Sequence, residues 1–360
     1  MALPRPDLQL AVGHELAQVL GVLERDDVVG VVQVVRARDE DTLSDIARRF
    51  NVGYEEIVTA NPGVDPWVPG AGTEVVIPTE FVLPDAKREG IVINLAAMRL
   101  FYFPKMKPGE PQKMVTHPIG IGRTGWRTPE GSTRVVSKTA APTWTPTPAI
   151  RKEHAADGDP LPKVVPPGPD NPMGTNVLRL GWPEYAIHGT DKPPSIGLRG
   201  THGCLRLYPE DIVGIYDAVP VGTPVTVVNQ PFLVGWQGGT LVMQTYPVLE
   251  DDKRPQRPDQ LISLARKKPA RGTRATADVN AALVAEITKK PRAVAVPIST
   301  ANLTMEQYLA AAPRVANELP SNATWNGGAT PQPTAADGMK QAEAPQDQSR
   351  LPGRRDGNVR

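Results

Sequence analysis

Ile91-Val92-Ile93-Asn94-Leu95, a short break at Ala96-Ala97, then Leu100-Phe101-Tyr102-Phe103: this stretch decides the class of fold. Two β-branched and aromatic runs on either side of two small residues suit an antiparallel hairpin. More runs of the same kind follow at 115–121, 133–137, 177–180, 185–188 and 225–228. One helix interrupts them. Pro209 begins its first turn, acidic Glu210 and Asp211 follow, and Ile212, Val213, Ile215, Tyr216 and Val219 supply its apolar residues. Many short strands and one helix predict a mainly β domain, a sandwich or barrel. Residues 140–172 are rich in proline and read as an irregular loop over the surface.

Upstream, the pattern changes. Val31-Val32-Gln33-Val34-Val35 reads as a strand, and Asp41 or Thr42 caps a helix carrying Leu43, Ile46, Ala47 and Phe50 on one face. Gly53 ends it. A second helix runs from about Tyr54 to Ala60 and stops at Asn61-Pro62-Gly63, and Glu74-Val75-Val76-Ile77 forms a closing strand before Pro78. Strand, helix, helix, strand makes a small βααβ domain at 30–79, after an N-terminal segment 1–29 of mixed signal. Downstream of the β domain at 88–230, weak helical patterns near 278–289 and 302–312 define an extension at 231–319. The segment 320–360 has the composition of a disordered tail. Lys and Arg cluster between Lys253 and Arg274, and this run reads as a solvated stretch.

Composition excludes more than it selects. The chain has 360 residues, 40 of them proline, with 5% aromatics. Its 40 basic and 39 acidic residues nearly cancel, which gives no reason to expect nucleic acid as a partner. No run approaches the length of a membrane span. The most apolar N-terminal stretch, 8–23, is interrupted by His14 and Glu15 and lacks a basic leader, so it does not read as a secretory signal.

The chain has one cysteine and five histidines, and two of the histidines lie close to the cysteine. The segment is Ala186-Ile187-His188-Gly189-Thr190, a Pro- and Gly-rich excursion, then Thr201-His202-Gly203-Cys204-Leu205-Arg206-Leu207. A free thiol is only slightly ionised at neutral pH, so a catalytic Cys204 needs a base, and His188 at a strand end is the candidate. The carbonyl of Gly189 is the candidate to fix its tautomer. Gly203 permits close backbone approach, and the amides of Gly203 and Cys204 are candidates for an oxyanion hole. Arg206 suits a substrate carboxylate. Taken alone, a cysteine followed by Leu is buried filler. The Gly, His and Arg flanks point the other way. Zinc on His188, His202 and Cys204 fits poorly, since no second cysteine pair exists.

These residues resemble the L,D-transpeptidase (YkuD) catalytic domain, whose signature is a histidine followed about fifteen residues later by Ser/Thr-His-Gly-Cys. The likeness covers about 88–230. It extends to Pro118-Ile119-Gly120-Ile121-Gly122, Thr128-Pro129-Glu130-Gly131, Pro142-Thr143-Trp144-Thr145-Pro146 and 167–174, which resemble the family's periplasmic branch. Residues 31–78 resemble a LysM module, which binds glycans containing N-acetylglucosamine. A small packing domain without glycan affinity is the plainer reading.

The resemblance implies a YkuD-type β-sandwich behind a βααβ LysM domain, and a transferase that needs no metal or organic cofactor. Cys204 attacks meso-diaminopimelate of a peptidoglycan tetrapeptide stem and releases D-Ala. An amine then resolves the thioester, either diaminopimelate of another stem (a 3–3 cross-link) or a lysine of an outer-membrane lipoprotein. His202 and Thr201 belong to the substrate side of the motif, and Trp144 either lines the donor groove or packs beneath the long loop. The implied partners are stem peptides and glycan strands, in the periplasm or cell envelope, with any export signal outside or removed from this chain. Two other readings stay open. Water resolves the same thioester in one, making a carboxypeptidase or a lipoprotein-releasing hydrolase. The other is a non-catalytic wall-binding scaffold.

Overall fold

The computed structural model describes residues 20–21, 26–267 and 278–319. The hairpin expected at the opening stretch is present: Gly90–Asn94 pairs antiparallel with Arg99–Phe103. It lies inside a nine-stranded sheet ordered Leu20–Gly21, Lys113–Pro118, Arg99–Phe103, Gly90–Asn94, Pro224–Val228, Gly131–Ala140, Asn176–Leu180, Ala186–His188 and Leu205–Arg206. The sheet curls on itself. Gly120, just past one side of it, exchanges both backbone hydrogen bonds with Arg206 at the other side, at 2.9 and 3.0 Å. A Cβ at Gly120 would stand 2.9 Å from the Ser195 carbonyl, so the close approach requires glycine here.

The curl encloses the main core. Ile91, Ile93, Leu100, Leu178, Leu180, Ile187 and Leu205 point inward, and the helix Pro209–Ala218 adds Ile212 and Ile215. Strand periodicity then puts Val177, Arg179, Ala186, His188, Cys204 and Arg206 on the opposite face. That face carries a separate small cluster of Met173, Val177 and Ala186, with Trp144 and Cys204 packed against it.

The upstream domain has the expected order. Gln33–Arg36 pairs with Glu74–Ile77, and the helices Leu43–Arg49 and Tyr54–Ala60 lie between them in sequence. Thr42 and Asp45 complete a capping box. Leu43, Ile46, Ala47 and Ile57 fill the core, whereas Phe50 is only partly buried. The strand expected from Val31 to Val35 runs instead from Gln33 to Arg36. Val28–Gly30 pairs separately with Glu80–Val82. Gly30 adopts φ +81° where a Cβ would collide with the Thr79 carbonyl, which separates the two pairings.

The module is firmly seated on the β domain. Glu56 and Arg99 form a buried two-point ion pair at 2.7 and 2.8 Å, and Arg48 meets Glu210 with two bonds of 2.9 Å. The Tyr54 and Glu55 amides donate to the carbonyls of Ile196 and Gly197, within the excursion between His188 and Cys204.

Two expectations need correction. Residues 140–172 are not wholly irregular: a helix, Pro148–Ala156, is capped by the Thr147 side chain and opens on Pro148. The extension also holds strands. Phe232–Gln237 and Thr240–Thr245 form a hairpin joined by Ala295–Pro297, with helices Pro258–Lys267, Ala281–Lys289 and Met305–Ala310. The basic run is therefore partly folded; Arg254 pairs with Asp252 and Glu130, and Ile262 is buried. The tail expectation at 320–360 lies outside the described residues, as does most of the N-terminal segment.

Candidate active site

Ala186–His188 runs parallel to Leu205–Arg206, with Ile187 beside Leu205 and His188 beside Arg206. Extending that register by one residue puts Cys204 beside Ala186, so Cys204 and His188 are diagonal neighbours on one face, with Cα atoms roughly 8 Å apart. His188 is 3% exposed. Its Nδ1 lies 2.7 Å from the Gly189 carbonyl, which only accepts, so Nδ1 carries the proton and Nε2 keeps a free lone pair. Burial, reinforced by the Arg206 charge, lowers the pKa of His188 to about 3. The imidazole is neutral throughout the physiological range.

Cys204 is half-buried. Burial raises its thiol pKa above the ordinary value, against the lowering effects of a hydrogen bond from the Ala186 backbone and the charges of Arg206 and Arg179. The resting pair is thus thiol and imidazole, not thiolate and imidazolium. The thiol donates to the Glu184 carbonyl at 3.4 Å in this arrangement. A turn about χ1 is needed to present it to His188.

The loop before the cysteine is internally braced. Thr201 Oγ1 donates to the Cys204 carbonyl at 2.6 Å and accepts from the Gly203 amide at 3.1 Å. The Gly203 amide, expected at an oxyanion, is already engaged there. Gly203 itself has φ +101°, and a Cβ would stand 2.8 Å from the Tyr185 ring. Thr128 Oγ1 donates to the Gly203 carbonyl at 2.8 Å, a support that sequence reading passed over.

His202 turns to another neighbourhood. Its Nε2 is 3.2 Å from Glu153, a carboxylate that also pairs with Arg123, and its ring meets Trp126 edge-on with centroids 4.9 Å apart. Burial lowers the pKa of His202, opposed by Glu153. Glu153 sits on the helix Pro148–Ala156, so the long loop is tied to the catalytic motif. Trp144 exchanges backbone bonds with Val165 and packs against Cys204's cluster. Asn171 was not singled out, yet its buried side chain donates to the carbonyls of Pro142, Val165 and Pro166 and accepts from the Met173 amide. Read in sequence as part of a proline-rich irregular loop, it holds the two ends of that loop together. Arg206 is largely enclosed, with Nε lacking a partner, and burial lowers its pKa. Among the described residues, no group of three His, Cys, Asp or Glu side chains is placed to hold a metal, and no helix is long and apolar enough to cross a membrane.

Residues 88–227 match the L,D-transpeptidase catalytic domain, YkuD, and residues 35–78 match the LysM domain. The chain is 46% identical over 207 residues to the probable L,D-transpeptidase YbiS of Escherichia coli K12, covering 57% of this chain and 66% of that one. It is 45% identical over 225 residues to the probable L,D-transpeptidase YcfS of the same organism, covering 61% and 69%. With ErfK/SrfK of Salmonella typhimurium, also a probable L,D-transpeptidase, identity is 43% over 202 residues, covering 56% and 64%. The chain spans about two thirds of the length of the curated relatives it matches. On the strength of these matches, the chain belongs to the L,D-transpeptidase family, with a LysM domain preceding its YkuD catalytic domain.

Proposed function

We propose that this protein is a peptidoglycan L,D-transpeptidase of the bacterial envelope, with Cys204 as nucleophile and His188 as general base. The observation that supports this reading most is the buried, neutral His188, its Nδ1 proton donated to the Gly189 carbonyl and its Nε2 left unprotonated on the face that carries Cys204. His188 Nε2 takes the thiol proton as Sγ bonds to the carbonyl carbon of meso-diaminopimelate in a tetrapeptide stem. The resulting imidazolium is a strong acid in this apolar setting. It returns its proton to the departing amine as the bond to D-Ala breaks. With Gly203's amide held by Thr201, the Cys204 amide is the candidate donor to the tetrahedral oxyanion.

An incoming amine then attacks the thioester. Its proton passes through His188 to the leaving sulfur, and the thiol is restored. The acceptor is diaminopimelate of a second stem or a lipoprotein lysine, and the LysM domain holds the glycan while this occurs. Periplasmic location follows from the substrate. The test is mass spectrometry of muropeptides incubated with purified protein, with and without a lysine-bearing lipoprotein peptide. Loss of D-Ala with formation of an amine adduct, absent in Cys204→Ala, supports the proposal. D-Ala loss with only a free carboxylate makes water the acceptor, and persistence of every stem in the presence of folded protein rejects the reading.

A further inference from the structure

The reacting face of the sheet carries a cation that neither the mechanism nor the fold uses. Arg179 lies on Asn176–Leu180, directly opposite Ala186, which is itself beside Cys204. Its neighbours in sequence, Leu178 and Leu180, point into the core. Arg179 therefore shares the outer face with Cys204, and its side chain is exposed. No side-chain hydrogen bond or ion pair engages it among the described residues. Arginines nearby are treated differently: Arg123 pairs with Glu153, while Arg127 and Arg199 share Asp251. The Arg179 charge is nonetheless felt at both Cys204 and His188. The opposing charge that reaches the thiol is Glu184, at the turn before Ala186–His188.

An unpaired guanidinium next to a nucleophile is costly to that site's base, because it helps hold imidazolium in check, and nothing in the fold needs it. It is suited to an anion that arrives with the substrate. We infer that Arg179 is a specificity residue that binds a carboxylate of the acyl-donor stem, two strand spacings or roughly 10 Å from Cys204 at the Cα atoms. Resting on the transpeptidase reading, the inference adds a recognition point distinct from Arg206. Arg206 is enclosed beside His188, on the other side of Cys204 along the face. Arg179 is open to solvent on the side toward the sheet centre, where its fork can take a carboxylate at two points. A donor stem has two such groups near the scissile carbonyl, the side-chain carboxylate of diaminopimelate and the α-carboxylate of the preceding D-Glu.

The experiment compares kcat/KM for D-Ala release from three synthetic tetrapeptide stems: unmodified, amidated at the diaminopimelate side-chain carboxylate, and amidated at D-Glu. Each is assayed with the wild type, Arg179→Gln and Arg179→Lys. Amidation at the recognised carboxylate is expected to cost the wild type about ten- to a hundredfold, and Arg179→Gln only a few-fold, with Arg179→Lys in between. The position whose amidation produces the effect identifies the carboxylate. Each ratio compares two stems at the same thiol, so any effect of Arg179 on thiol reactivity cancels. The inference is overturned if Arg179→Gln keeps the wild-type ratios, or if the wild type itself does not discriminate. If folded wild-type protein releases D-Ala from no stem at all, the transpeptidase reading fails instead.

Discussion

Two histidines on the same curled sheet are buried to nearly the same degree, His188 at 3% and His117 at 1% exposure, yet they sit in different chemical settings. His188 has a backbone carbonyl as its Nδ1 partner and a thiol on its face. His117 has the carboxylate of Asp211 at 3.0 Å and the Asn51 amide at 3.2 Å, in the seam where the LysM domain meets the β domain. A carbonyl fixes a tautomer without adding negative charge, so the ring stays a free base. A carboxylate and an amide at the same ring nitrogen hold His117 in a buried polar seam, with Arg48–Glu210 and Arg99–Glu56 alongside. In the proposed mechanism the same side chain thus serves chemistry on one side and cohesion on the other. Its partner, more than its burial, makes the difference.

The largest effect expected from breaking this contrast is on catalysis. Cys204→Ala should abolish acyl-enzyme formation with a carbapenem, read as loss of the mass adduct. His188→Gln should lower the acylation rate by about 10²- to 10⁴-fold, because the proton then has no positioned acceptor. His117→Gln should leave the acylation rate of the folded protein unchanged. An equal loss from both substitutions would erase the distinction between the two rings.

Next comes the seam. Arg99 is wholly buried, and Arg99→Met leaves the Glu56 carboxylate without its partner. Unfolding in urea should show a loss of about 3–5 kcal/mol, much of it recovered in the double variant Arg99→Met/Glu56→Met. Additive losses in the double variant would mean that the pair is not the source of the cost.

The third prediction uses pH. The folded-state pKa of His188, near 3, lies below its ordinary 6.5, so between those values the unfolded chain binds the extra proton. Its contribution to stability is therefore full above about 6.5 and is lost as pH falls towards 3. Urea midpoints between pH 7 and pH 4 should fall more steeply for the wild type than for His188→Gln. Parallel curves would mean that the ring is not buried as a neutral base.

Much of this was legible in the chain before folding. The His188 and Cys204 spacing marked one strand end and the neighbouring motif, and periodicity marked Leu43, Ile46 and Ala47 as core. The seam was not legible, because Glu56 with Arg99 and Asn51 with His117 join residues 43 and 66 positions apart that read locally as ordinary polar positions. The hairpin Phe232–Gln237 and Thr240–Thr245 did carry a signal. Gly238-Gly239, both at positive φ, separate two apolar runs. The helix Pro148–Ala156 was hidden by its setting: Thr147-Pro148 is a good start, but Ile150 is its one buried residue, so no apolar stripe announces it among the prolines. The Gly203 amide shows another limit. Sequence could give the glycine but not the Thr201 hydroxyl that takes its hydrogen bond.

The smallest expected effect concerns the third ring, His202, which is held by a carboxylate as His117 is but near the surface. Glu153 links it and Arg123 to the helix of the long loop, with Glu153 28% and Arg123 39% exposed at the side chain. Such a pair is screened, and Glu153→Gln should cost about 0–1 kcal/mol in urea. What it should change is the cover over Cys204. Without the tie, the loop that carries Trp144 spends more time away from the cysteine, so KM for a stem peptide rises and alkylation of the thiol by iodoacetamide becomes faster. Burial works to raise the Glu153 pKa, but the Arg123 pairing outweighs it and the net shift is downward. The tie is thus intact above the ordinary carboxyl value of 4.5 and weakens as pH falls below it. Added salt should raise the wild-type KM towards that of Glu153→Gln and leave the variant where it is. If salt and substitution act additively on KM, the Glu153 tie is not what salt weakens, and the loop is held by Asn171 and Trp144 instead.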